Sequence, residues 1–171
     1  MSKEIRQQIA QQISKYRWMV FNIVDKSLPP FSYTVGLKES FNHAEIIISA
    51  LEKEDAHAIL NGIGNGIAEG MQREENVLYD DILDDRPCYF KAVLPEMYEE
   101  YLGRAVLYYE NSDFPVLQCV WPDQDSQFPN DKGYDGVANT FGVYPPSKAV
   151  NRLYIRSLPR KFMLLTLVNR S

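Results

Sequence analysis

His43 and Glu45 stand two residues apart at the start of the alternating run Glu45-Ile46-Ile47-Ile48-Ser49-Ala50, so an extended backbone puts both side chains on one face. An imidazole beside a carboxylate is either the orienting half of a general base or a structural hydrogen bond that fixes the connection from Gly36 to His43. The chain offers this pair no adjacent nucleophile. Cys88 and Cys119 lie in apolar, strand-like segments without a second Cys or His at zinc-ligand spacing, and they read as reduced core thiols. Two histidines in all, His43 and His57, exclude a His-rich metal site, and His57 belongs to the charged, solvent-facing start of a helix. Asp123, Asp125 and Asp131 invite comparison with a calcium loop, but Gln127 and Phe128 occupy positions where that loop needs a ligand and a glycine. Gly62, Gly64 and Gly66 fit neither the dinucleotide nor the phosphate-loop spacing, and they fall late in a helix instead of at its start. No catalytic residue, metal ligand or cofactor is therefore assigned.

Two further places put polar groups at the end of a core strand, where sites are commonly built. The first is Tyr33-Thr34-Val35-Gly36-Leu37, whose Gly36 allows a sharp turn or a close neighbour. The second is Gln118, alternating with Val116 and Val120, followed by Trp121-Pro122-Asp123. A buried Gln118 amide is either a device that sets strand register or a ligand contact. Trp121 and Asp123 suit either a binding rim or the capping of a turn.

These segments, in their order and spacing, resemble a bacterial family, domain of unknown function 4262. The resemblance rests on Tyr33–Leu37, His43-Ala44-Glu45, and Leu117-Gln118-Cys119-Val120-Trp121-Pro122-Asp123 with Phe128-Pro129. Ala44 stands where that family usually has proline. The likeness covers about residues 16–135 and implies kinship without an activity.

The elements that must position these residues follow from periodicity. Ile5, Ile9 and Ile13 form one stripe of a helix over Ser2–Lys15. Trp18–Val24 is predicted as a strand buried on both faces, Phe31–Gly36 as a second, and Glu45–Ala50 as a third with Ile46, Ile48 and Ala50 opposite Glu45, Ile47 and Ser49. Glu52, Glu54 and Asp55 open a helix that runs to Gly70, with Gly62, Gly66 and Gly70 along a flank that admits a close neighbour. Strands at Asn76–Leu83, Cys88–Val93 and Val116–Trp121, a Tyr-rich helix over Glu96–Tyr109, and apolar segments at Arg152–Ile155 and Phe162–Val168 complete the pattern. Interleaved strands and helices without a βαβ rhythm predict a single-domain α+β fold, a mixed and mainly antiparallel sheet with helices packed on it. The organisation reads as an N-terminal helix (1–15), a core domain (16–135) and a basic extension (136–171) packed on that core.

With 171 residues, 45% apolar and 24% charged, the chain can bury a core. It has no apolar run of membrane-spanning length and no secretion signal, which points to the cytoplasm. Residues 61–135 carry five basic and sixteen acidic groups, whereas 136–171 carry six basic and no acidic ones. An isoelectric point near 5.1 disfavours nucleic acid. Tyr98, Tyr101, Tyr108 and Tyr109 among scattered acids resemble the surface of an immunity or adaptor protein that covers a basic partner, or else a helix packed with its hydroxyls to water. The preferred expectation is a non-enzymatic binding module holding a protein or small ligand at Tyr33, Thr34, Gly36, His43, Glu45, Gln118, Trp121 and Asp123. The alternative is an enzyme or flavin-type cofactor binder using a cleft around His43 and Asp123.

Overall fold

The structure, a computed structural model, describes residues 2–25, 29–129 and 131–135. The expected segments at Arg152–Ile155 and Phe162–Val168, and the basic extension as a whole, lie outside these. The isoleucine stripe forms α1 (Ser2–Tyr16), burying Ile9 and Ile13. Next come β1 (Met19–Ile23), β2 (Phe31–Val35), the short α2 (Leu37–Phe41), β3 (Glu45–Ser49) and α3 (Lys53–Ala68). After these follow β4 (Leu78–Tyr79), β5 (Cys88–Ala92), a 3-10 turn (Pro95–Met97), α4 (Tyr98–Tyr101), α5 (Gly103–Tyr109) and β6 (Val116–Val120).

The strands form one sheet in the order β1-β2-β3-β6-β5-β4. Every neighbouring pair is antiparallel except β3 and β6, which run parallel with Glu45 opposite Val116. The predicted α+β class, a mainly antiparallel mixed sheet with helices packed on it, is thus observed. Alternation along β2 and β3 divides the core into two layers. Phe31, Tyr33, Val35 and Ile47 meet α1, α4 and α5 on one face. Ile46, Ile48 and Ala50 meet Ile59, Leu60, Ile63 and Ile67 of α3 on the other, the division of β3 expected from its sequence.

Four local expectations need correction. β1 packs on both faces as expected, Met19, Phe21 and Ile23 on one core layer and Val20 on the other, but as an edge strand it leaves every residue only half-buried. The strand predicted over Asn76–Leu83 shortens to two residues, since Asp80, Asp81, Asp84 and Asp85 stay in water and not in a ladder. The helix predicted over Glu96–Tyr109 is interrupted at Leu102, whose backbone leaves helical geometry just before Gly103. Of the expected flank Gly62, Gly66 and Gly70, only Gly66 has a close neighbour, Met71 Sδ at 3.0 Å from an added Cβ, and the tightest approach on α3 is at Gly64. A methyl group at Gly64 would fall 2.6 Å from the Trp18 ring, whose Nε1 donates to Asn61 Oδ1 at 3.0 Å, while Gly62 and Gly70 face open space.

Alanine substitutions separate these roles. Gly64→Ala forces the Trp18 indole off α3 and is expected to destabilise the fold by about 1–3 kcal/mol, whereas Gly62→Ala adds helix propensity in open space and is expected to stabilise by up to about 1 kcal/mol. Thermal unfolding monitored at the two tryptophans should give melting temperatures displaced in opposite directions.

Candidate functional site

The segments around Gly36 and His43 meet at the end of the sheet where β3 begins, and their centre is Glu45. Its side chain is wholly buried. Oε2 accepts from the Thr34 hydroxyl at 2.6 Å. Oε1 accepts from the Gly36 N–H at 2.9 Å, the Lys38 N–H at 3.1 Å and the Tyr109 hydroxyl at 2.5 Å. Thr34 Oγ1 in turn accepts from the Ile46 N–H at 2.9 Å. One carboxylate therefore holds β2, the first turn of α2 and the end of α5 onto β3. Burial pushes its pKa up against the opposing pull of these four donors.

Gly36 is specified by the backbone. Its φ is +116°, and an added Cβ would lie 2.8 Å from the Arg17 carbonyl oxygen. The sharp turn there brings Gly36 and Lys38 N–H groups back toward the carboxylate. Tyr109 Oη also accepts from Gly36 N at 3.2 Å, and burial followed by the adjacent Glu45 charge raises the phenol well above its ordinary value. Beside it, Tyr108 donates to Glu39 Oε2, and burial followed by that same carboxylate raises its hydroxyl too.

His43 and Glu45 do not pair with each other. The backbone N–H of Arg73 can only donate, so His43 Nε2, 3.0 Å away, is an unprotonated acceptor and Nδ1 carries the proton toward Ala44 O at 2.8 Å. Burial lowers the imidazole pKa, the Ala44 contact opposes that, and the Arg73 charge adds to it. The Arg73 side chain continues to both Asp81 oxygens at 2.9 and 2.7 Å and lies over the Tyr79 ring at 4.8 Å. His43 thus anchors the segment leading into β4 through a partner with no recognisable spacing from it in sequence.

The segment around Trp121 lies elsewhere. Because β6 runs parallel to β3 from Val116 opposite Glu45, its far end is about 13 Å along the strand, at about 3.3 Å per residue. There Trp121 Nε1 donates to the Ser49 carbonyl at 3.0 Å and Gln118 Nε2 reaches Ser49 Oγ at 3.4 Å. Asp123 folds its own loop: Oδ1 accepts from Asp125 N and Gln127 N, and Oδ2 from Asp135 N at 2.8 Å. Tyr33 packs between Phe21 and Phe31 and accepts from Arg104 N at 3.2 Å. Gly36 is buried, and none of the other seven candidates is more than 3% exposed. A hollow beside Trp121 and Leu51 offers about 20 Å³, space for roughly one water.

The two larger open volumes lie between α1 and α5, while one of about 380 Å³, bordered by Tyr33, Phe31, Tyr101 and Arg104, lies at the start of α5. One groove of about 450 Å³ is bounded by Lys3, Arg6, Gln7, Glu39, Tyr108 and Tyr109. A second, of about 530 Å³, shares Lys3 and Arg6 and extends along Val106, Leu107 and Glu110. Arg6 is held between them by its Nε bond to Tyr108 O at 3.1 Å and its ion pair with Glu110 at 3.0 Å. The clustering of Tyr108 and Tyr109 was a sequence signal for this surface. The distance from Lys3 to Tyr109 along the chain hid the opposing wall. Among the described residues no helix is long and apolar enough to cross a membrane, and no group of three or more His, Cys, Asp or Glu is arranged to hold a metal ion.

Fold and site together define an α+β domain pinned by one buried carboxylate. The chain belongs to the family described as a domain of unknown function (DUF4262), matched over residues 12–135. That stretch contains every strand of the sheet and the whole Glu45 cluster. No curated protein and no solved structure matches the chain.

Two measurements test this arrangement. Glu45→Ala leaves the Thr34 and Tyr109 hydroxyls and the Lys38 N–H without this acceptor, the Gly36 N–H keeping only Tyr109 Oη, and is expected to cost about 3–5 kcal/mol in chemical denaturation; an effect below about 1 kcal/mol contradicts the central role of the carboxylate. The depressed His43 pKa means the folded state binds fewer protons than the unfolded one below pH 6.5, its ordinary value. The resulting stability is complete above that pH and is lost as pH falls through the window below it. His43→Gln, which retains an acceptor for Arg73 N, should flatten this part of the melting-temperature profile.

Proposed function

We propose that this chain is a non-enzymatic binding module that takes a polar segment of a partner protein into the groove between α1 and α5. The observation that carries the reading is the link from Glu45 through Tyr109 to the groove. The buried cluster at the heart of the family resemblance holds the wall that carries two tyrosines. Tyr rings give contact area at low entropic cost, and Lys3 and Arg6 facing Glu39 and Glu110 give polar complementarity.

None of the eight residues first singled out lines this groove; Thr34, Gly36 and Glu45 support its tyrosine wall from within, whereas Gln118, Trp121 and Asp123 lie at the other end of β3. An enzyme or flavin-type binder around His43 and Asp123 has less support. The acceptor nitrogen of His43 is occupied by Arg73 N, and Asp123 lies at the opposite end of β3 with both carboxylate oxygens satisfied by its own loop. The two buried free thiols fit a reducing compartment, in keeping with a cytoplasmic protein.

The reading is tested with the surface variant Lys3→Glu/Arg6→Glu, which reverses one wall of the groove. A protein captured by the wild type and identified by mass spectrometry should bind the purified variant at least about tenfold more weakly, about 1.4 kcal/mol, while the melting temperature of the variant shows that the fold is retained. Equal binding by both forms refutes the groove, and a small-molecule mass retained in native mass spectrometry favours the cofactor alternative.

A further inference from the structure

Each outer strand of the sheet has one strand partner among the described residues, β2 for β1 and β5 for β4. An edge presents a row of N–H and C=O groups that pairs with further strands unless something blunts it. β4 is blunted: it has two residues, and exposed Glu74, Glu75, Asp80, Asp84 and Asp85 surround it. β1 has no such protection. Met19-Val20-Phe21-Asn22-Ile23 contains no charge and no proline, and its unbroken five-residue register with β2 leaves no bulge to turn it away. Its side chains are half-buried, and Val24 directly after it is 78% exposed.

The strand is also complementary to itself. Antiparallel pairing about a twofold axis at Phe21 sets Phe21 beside Phe21 of a second copy, Met19 beside Ile23 and Val20 beside Asn22. The twofold keeps like faces together. Met19, Phe21 and Ile23, which pack on the core layer beneath α1 and α5, therefore continue into the same layer of the second copy as large cross-strand pairs. The flanking charges choose the direction. Exposed Arg17 precedes the strand and exposed Asp25 follows it at the same spacing, so antiparallel pairing brings Arg17 of each copy to the end where the other has Asp25. Parallel pairing would set like charges together at both ends.

We propose that this chain forms a twofold dimer in which β1 pairs antiparallel with β1 of a second copy, joining two six-stranded sheets into one. The contact uses the same strand on both copies and closes on itself. Each outer end of the joined sheet is then β4, whose shortness and acids stop further strands from adding. No β1 residue lines the α1–α5 groove, so the two surfaces are separate.

Sedimentation of the 171-residue chain over about 1–100 μM is expected to show the mass rising from 19.7 kDa toward about twice that value. Hydrogen exchange over Met19–Ile23 should slow across the same range, with the rates at Leu78 and Tyr79 constant. Arg17→Asp and Asp25→Arg each set like charges at both ends of the pair and should weaken the dimer at least about tenfold, whereas the double variant swaps the charges and should recover wild-type affinity. Melting temperatures check that each variant folds. If Arg17, which donates to Ser40 O, is needed for folding, Asp25→Arg alone, at an exposed position outside every helix and strand, still reads the weakening. A single mass at every concentration, protection at β4 or along α1 instead of β1, or a dimer unweakened by Asp25→Arg each overturns the proposal.

Discussion

A carboxylate removed from water must find enough donors or be neutralised, and Glu45 finds four on three different elements. That requirement organises the start of β3. Thr34 fixes β2 beside it, the turn at Gly36 aims two backbone N–H groups, and Tyr109 brings in the end of α5. α2 has only five residues and no capping bond from its own N-cap, so the carboxylate from β3 supplies what the helix lacks locally. Thr34, Gly36 and Glu45, which belong to two of the three motifs of the family resemblance, thus meet the needs of one buried carboxylate.

The same constraint shapes where binding can occur. Side chains committed to internal hydrogen bonds at nearly zero exposure leave no room for a ligand, and the two ends of β3 keep the Trp121 segment away from the Glu45 cluster. Open volume arises one layer further out, beside the edge of the buried Tyr108 and the half-buried Tyr109. Lys3, Arg6 and Gln7 on the facing wall precede residue 12, where the family match begins. The matched stretch therefore contains the tyrosine wall of the groove, and the residues before it form the other wall.

Much of the framework was legible because period and polarity leave little choice. Ile5, Ile9 and Ile13 admit a helix, and the alternation from Glu45 to Ala50 marks two core faces that the structure divides as expected. Failures occurred where a distant neighbour makes the decision. Gly64, not Gly62, meets an indole, because Trp18 returns from α1 to lie on α3. The buried positions Tyr98, Tyr101, Leu102, Ala105 and Tyr108 keep helical spacing straight across the break at Leu102, so periodicity could not reveal it. His43 and Glu45 share a segment but take separate partners, since Arg73 and Tyr109 come from two different later stretches of the chain, 30 and 64 residues on.

By itself the sequence determined the secondary-structure repertoire, the mixed α+β class, the acidic middle and basic tail, and which polar residues occupy core strands, because apolar periodicity and charge are local properties. Tertiary structure alone decided that Glu45 would be satisfied by Thr34, Gly36, Lys38 and Tyr109, that His43 would accept from Arg73, and that the two larger open volumes would lie between α1 and α5. Hydrogen-bond partners and surface hollows depend on which remote segments are brought together, and no spacing along the chain encodes that directly.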